Sequence, residues 1–251
     1  MKHFLVFVWP VVFLALISCG GEKPAAEGSK PDPGAPAPIS QSGVVAGTIK
    51  FIGAAPPAKK IAVTKDKNAC GEYKWSEELV VGSGNGIRWA VVSVDAMPAL
   101  ARVSTPSAQP AVLDQKGCQF HPHVLLVRAG GTVEILNPDG VLHNFHSYSK
   151  LNTPINQAQP AFRKTMQVKL DRPETFKIGC DAHGWMSGWI VVTDHPFYAL
   201  SDEAGNFRIE GVPAGKQVIK VWHETLGMHS KEVEISAGKE TKVVFELDKK
   251  K

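Results

Sequence analysis

The stretch from Phe176 to Val192, FKIGCDAHGWMSGWIVV, leaves the chain little choice of local structure. An apolar run with period-two alternation ends at Cys180, a short glycine-containing turn follows, and a second apolar run begins at Trp189. Such alternation predicts strands, so the turn joins two of them and carries Cys180, His183 and Met186 at intervals of three. Thiolate, imidazole and thioether select soft metals such as copper or zinc, whereas calcium and magnesium take oxygen ligands. Three ligands so close together leave one side of a metal open. His143, in VLHNFHS after the run Val133 to Asn137 and a Pro-Asp-Gly turn, is the expected fourth. Cysteine and methionine also fill cores, so a packing role for Cys180 stands beside the metal reading. Ligand softness alone leaves zinc open.

With these residues in place the sequence resembles the cupredoxin family, over roughly Ala111 to Thr193. The matching features are His143-Asn144 after a strand and turn, then Cys180-x-x-His183, Met186 and a strand led by Gly188. The resemblance implies His143, Cys180 and His183 as strong ligands of one copper ion and Met186 as a weak axial ligand. It also implies that Asn144 ties the two ligand loops together. Only Gly184 and Trp185 separate His183 from Met186, fewer residues than plastocyanin-like members usually have. The His-x-x-Met ending is similar to a two-copper purple centre, but the loop lacks the second cysteine that such a centre needs.

The amino terminus points to export. Lys2 and His3 precede the apolar run Phe4 to Ile17, which is too short for an ordinary spanning helix and reads as a signal sequence over 1–18. Leu16-Ile17-Ser18-Cys19 resembles a bacterial lipobox, which implies cleavage before Cys19 and lipid on its sulfur. Several acyl chains would anchor the protein stably, since one alone binds marginally. The expected location is therefore the periplasmic face of a bacterial membrane. Residues 19–43, including PDPGAPAP, hold almost no large apolar side chain and read as a flexible tether.

Beyond the tether the strand signals are dense. Val45 to Phe51, Ile87 to Val94, Val124 to Val127, Gly131 to Asn137, Lys164 to Leu170 and Thr175 to Cys180 alternate or run apolar, and Met97 to Gln109 reads as a long loop. No helix-length apolar stripe separates them, so the expected class is all-β. The resemblance makes residues 44–193 a cupredoxin-like Greek-key sandwich. Cys70 and Cys118 are free to pair in an exported protein; the alternative is a second metal site of Cys118 with His121 and His123 in CQFHPH. His123 and His146 are kept as possible additional metal ligands. The formal charge of +4, with no Lys/Arg block beyond Lys249 to Lys251, argues against a nucleic-acid partner.

After Thr193 short strands and glycine turns succeed one another: SDEAGNF, GVPAG, then Gln217 to Trp222, Lys231 to Ile235 and Thr241 to Leu247. This part, 194–251, resembles a transthyretin-like or carboxypeptidase-regulatory-like module, a smaller second sandwich without a catalytic group. His223 and Glu224 are expected at its rim. The whole reads as a membrane-tethered electron carrier, not an enzyme. Its expected partners are an extracytoplasmic redox protein such as a cytochrome or oxidase, and membrane lipid through Cys19. Trp185, with the edge of His183, is the expected docking patch. The alternatives are a periplasmic copper store, chaperone or resistance protein, and a structural or adhesion lipoprotein whose copper-like loop is not functional.

Overall fold

The computed structural model describes residues 41–95 and 109–249. The expectations for the signal sequence, Cys19, most of the tether and nearly all of the Met97 to Gln109 loop fall outside these residues. Among the described residues no helix is long and apolar enough to cross a membrane. The strands are β1 (Ser42–Phe51), β2 (Lys60–Ala62), β3 (Tyr73–Trp75), β4 (Val91–Val94), β5 (Ala111–Asp114), β6 (Val124–Arg128), β7 (Gly131–Leu136), β8 (His143–Ser147) and β9 (Asn156–Gln159). They continue with β10 (Thr165–Leu170), β11 (Glu174–Gly179), β12 (Ser187–Thr193), β13 (Tyr198–Leu200), β14 (Asn206–Pro213), β15 (Gly215–His223), β16 (Gly227–Ile235) and β17 (Glu240–Leu247). One short helix, α1, spans Lys67–Cys70.

The fold is all-β and built of packed sheets, consistent with the expected cupredoxin-like Greek-key sandwich plus an additional sheet module. In the first sandwich the sheet β10-β7-β5 faces the sheet β6-β12-β11-β8-β9. Alternation builds it: Met166, Val168 and Leu170 of β10 and Val133 and Ile135 of β7 point inward, while Thr165, Gln167 and Lys169 point out. In the second sandwich β14-β1-β17 faces β13-β4-β15-β16 around Val45, Ile49, Val92, Ile219, Val221 and Phe245.

Strands β1 and β4, which the sequence reading places before Thr193 with the metal loops, belong to this second sandwich. β1 runs antiparallel to β14 and parallel to β17, and β4 pairs with β13 and β15. Their inward valines and isoleucines complete a core that the carboxyl-terminal strands alone would leave open on one side. Gly47 permits the fit, because a Cβ there would lie 1.7 Å from the Val243 carbonyl oxygen. The strand expected over Ile87 to Val94 is also shorter, starting only at Val91. Trp89 adopts a left-handed φ of 67°, which no continuous strand accommodates.

The run Ile190-Val191-Val192 is apolar on both faces because β12 serves two cores. Ile190 and Val192 enter the first sandwich, whereas Val191 meets Val91 and Val124 in a small cluster flanked by Trp89, Trp189 and Trp222. Glu224 holds this junction. One carboxylate oxygen bonds the His123 ring and the other accepts Trp189 Nε1–H at 2.8 Å. The expectation of a rim position for His223 and Glu224 is therefore corrected: His223 is 1% exposed, and Glu224 ties the sandwiches together.

Candidate metal centre

The Pro138-Asp139-Gly140 turn delivers the chain into β8, whose first residue is His143. The Cys180 to Met186 turn joins β11 to β12 beside it. Short backbone bonds shape this loop: His183 N–H donates to the Cys180 carbonyl and Met186 N–H to the His183 carbonyl. The ligand atoms of His143, Cys180 and His183 lie within 4.8 Å of one another, and all three residues are buried. The Nδ1 atoms of the two histidines are 3.1 Å apart, and Cys180 Sγ is 3.8 Å from His183 Nδ1. Met186, 3% exposed, is part of the same buried cluster as Cys180.

The far side of each ring meets a carboxylate. His143 Nε2 lies 2.9 Å from Asp139 Oδ2, and His183 Nε2 lies 2.8 Å from Asp66 Oδ2. Carboxylates only accept, so each Nε2 carries the hydrogen and each Nδ1 of a neutral ring presents a lone pair inward. Burial pushes the His143 pKa down, against the opposing pull of Asp139, and so favours the neutral ring. Two such lone pairs at 3.1 Å repel unless a proton or a metal ion lies between them, and carboxylate-bound histidines are the usual orientation of metal ligands. Burial likewise pushes the Cys180 thiol up, while N–H groups of Asn144, His183 and Ala182 favour the thiolate; a bound cation is what ionises such a thiol. The donor set thus fits a soft metal on its own chemistry.

Asn144 bonds to the cysteine loop at two points. Its backbone N–H donates to Cys180 Sγ at 3.3 Å, and its Oδ1 accepts Asp181 N–H at 3.1 Å, so β8 and the cysteine loop are fixed to each other. Cys70 and Cys118 form the expected disulfide. It lies over the site: Cys70 Sγ is 3.9 Å from His183 Nε2, and Cys118 N–H donates to Asp139 Oδ2 at 2.7 Å. Cys118 is therefore not a free thiolate for a second metal. His121 bonds the Lys116 carbonyl, His123 bonds Glu224 and His146 bonds Asp181; none joins the converging ligand atoms.

The docking expectation needs correction at His183. Its ring is fully buried beneath Asp66, the disulfide and Trp185, so no His183 edge reaches the surface. Trp185 is half-buried, and its Nε1–H donates to the Cys118 carbonyl at 3.2 Å. Sequence reasoning missed Asp66 and Asp139. Asp139 stands in a Pro-Asp-Gly triplet that reads only as a turn, and Asp66 lies 117 residues from the histidine it holds.

No protein-family model and no curated protein matches the chain. Among solved structures, a copper-containing nitrite reductase from Thermus scotoductus matches 40% of this chain at 23% identity and a TM-score of 0.32. This chain spans 27% of that enzyme's length. A reduced, Cu(I) form of an amicyanin variant at pH 4 matches over 41% of this chain and 98% of its own, at 18% identity and a TM-score of 0.31. A likeness this remote says nothing about activity.

Proposed function

We propose that the protein is a mononuclear copper protein that carries single electrons between extracytoplasmic redox partners, tethered to a membrane through lipid on Cys19. The observation that carries the reading is the approach of the two histidine Nδ1 atoms to 3.1 Å, each ring held at its Nε2 by a carboxylate, with the Cys180 sulfur beside them. His143 Nδ1, Cys180 Sγ and His183 Nδ1 would hold the ion, with Met186 as the weak fourth ligand. Copper held there supplies a one-electron couple. The chain's own work is to keep the donors fixed and dry: Asp66 and Asp139 orient the rings, Asn144 restrains the sulfur, and the disulfide excludes water above His183. A soft, protein-supplied donor set favours a carrier over an enzyme, since hydrolysis needs an open metal position and a base. The storage alternative relied on His121, His123 and His146, and these are engaged elsewhere.

Cys180→Ser tests the reading. Titration of the full chain with Cu(II) is expected to give an intense visible thiolate band and one equivalent of tight copper in the native protein. The variant is expected to lose the band and most of the affinity, because a hydroxyl cannot replace a soft thiolate. Equal spectra and affinities for the two proteins would overturn the assignment.

A further inference from the structure

Asp66, the disulfide and Trp185 cover His183, and Trp185 also faces a recess beside the ligand loop. A cleft of about 420 Å³ opens against Gly184, Trp185 and Met186. Its walls carry Lys59, Lys60, Lys74 and Lys177 against two acidic side chains, Glu77 and Glu78. Only Lys59 is held by one of these, through Glu78 at 3.7 Å. Among the described residues no carboxylate lies within ion-pair distance of Lys60, Lys74 or Lys177. Lys60 rests on the Tyr73 ring at 3.7 Å, and burial lowers the pKa of Lys74, with the charge of Asp139 opposing the shift. Trp75, 50% exposed, adds an apolar wall. A chain of formal charge +4 thus gathers a net +2 in one recess, four lysines less two glutamates. That recess also adjoins the site: the Trp185 ring, which lines it, lies 5.0 Å centroid to centroid from the His183 ring.

We infer that this lysine- and tryptophan-lined cleft is the surface on which an acidic face of the redox partner protein docks, with Trp185 as the single ring between the partner and His183. The inference rests on the copper-carrier reading. An excess of lysines over carboxylates in one recess draws in negative charge and accelerates encounter, while the exposed Trp75 supplies apolar contact once carboxylates meet the lysines. One electron crosses per encounter: the oxidised protein gains what the reduced partner loses, and no atom is transferred.

Two measurements test it. In the metal-free full chain, the inert paramagnetic anion hexacyanochromate(III) is expected to broaden the indole N–H signals of Trp75 and Trp185 selectively. The cation tris(ethylenediamine)chromium(III) is expected not to. Lys60→Glu/Lys177→Glu should abolish the selective broadening, while Lys216→Glu in the second sandwich should leave it intact. Broadening spread evenly over the surface, or unchanged in the double variant, would overturn the cleft. In the copper-loaded chain, electron exchange with hexacyanoferrate should slow about tenfold in the double variant at low salt, with copper content and visible spectrum unchanged. An unaltered rate, or an equal loss with tris(phenanthroline)cobalt(III), would also overturn it. The first measurement needs no copper, so failure of the carrier reading and failure of the cleft are read separately.

Discussion

A histidine ring has two nitrogens, and its partner at one decides what the other can do. Here Asp139 and Asp66 each take an Nε2 hydrogen, which turns both Nδ1 atoms into inward acceptors. Asp139 does more than orient His143, since its oxygens also accept the N–H groups of Gly117 and Cys118 at 2.7 Å. Asp139→Ala frees the ring to rotate or change tautomer and loosens the turn above it. Copper affinity is then expected to fall about ten- to a hundredfold, measured by competition against a chelator, with Asp139→Asn falling between the two because it keeps one acceptor. A different histidine sets part of the pH dependence of stability. Burial lowers the pKa of His223 from 6.5 to about 4, with Glu224 and the Arg88 carbonyl only partly opposing and His123 reinforcing the shift. Below pH 6.5 the unfolded chain takes up a proton that the folded ring refuses. The contribution is therefore complete above 6.5, is lost as the pH falls toward 4, and does not change further below that. Over this window it amounts to about 3 kcal/mol. Urea denaturation at pH 7 and pH 4.5 should show His223→Gln losing less stability on acidification than the native chain.

Among the elements, the cap over His183 shows how far a sequence can be read. The disulfide was legible, because two spare cysteines in an exported chain have reason to pair. Its place above the metal loop was not, because nothing local to Cys70 or Cys118 refers to His183. The cap exists because α1 and the turn Lys116–Cys118 are brought together by the disulfide, while Asp66, at the start of α1 with a left-handed φ of 51°, reaches the ring. Strands with clear alternation, such as β7 and β10, were legible almost to their ends. β2, β3, β5, β8 and β9 were not expected: β2, β3 and β5 run only three or four residues, β9 carries Asn156 and Gln157 exposed, and β8 buries His143, Asn144 and Phe145 consecutively, so none shows a sustained alternation. Replacing both cysteines with alanine removes a link across 48 residues. The loss is expected to be about 2–4 kcal/mol by denaturant titration. The same change should admit water to His183, seen as faster exchange of its Nε2–H signal by NMR.

At the scale of the whole molecule, chain order and sheet order diverge. The fold class was legible because it rests on local alternation, and His143, Cys180 and His183, whose ligand atoms converge, were legible as candidates because they stand at two turns. The partition of strands between sandwiches depends on which edge β1 and β4 fill, and their sequences, VVAGTIKF and VVSV, suit either core equally. The pairing decides it, and with it the outcome of cutting the chain. A chain ending at Thr193 would retain β1 and β4 but lose β13 through β17, every strand with which those two pair. Val45, Ile49, Phe51, Val92 and Val94, buried in the whole protein, would then face water. Five large apolar side chains, at about 1.5–3 kcal/mol each for full burial, amount to roughly 7–15 kcal/mol of lost burial, comparable to the whole stability of an ordinary domain. The loss also removes Glu224, leaving His123 and Trp189 without their shared partner at the junction. The truncated chain is expected to bind a hydrophobic dye and to aggregate or unfold well below the full chain's Tm. A second chain also lacking β1 and β4, beginning at Pro57 and joined by a short Gly-Ser segment from Val80 to Gln109, should recover solubility and copper binding, because every strand of the first sandwich keeps its partners. Dye binding and the visible band measured on both chains decide between the two partitions: a soluble, copper-binding chain ending at Thr193 with no dye signal would mean that β1 and β4 do not depend on the carboxyl-terminal strands.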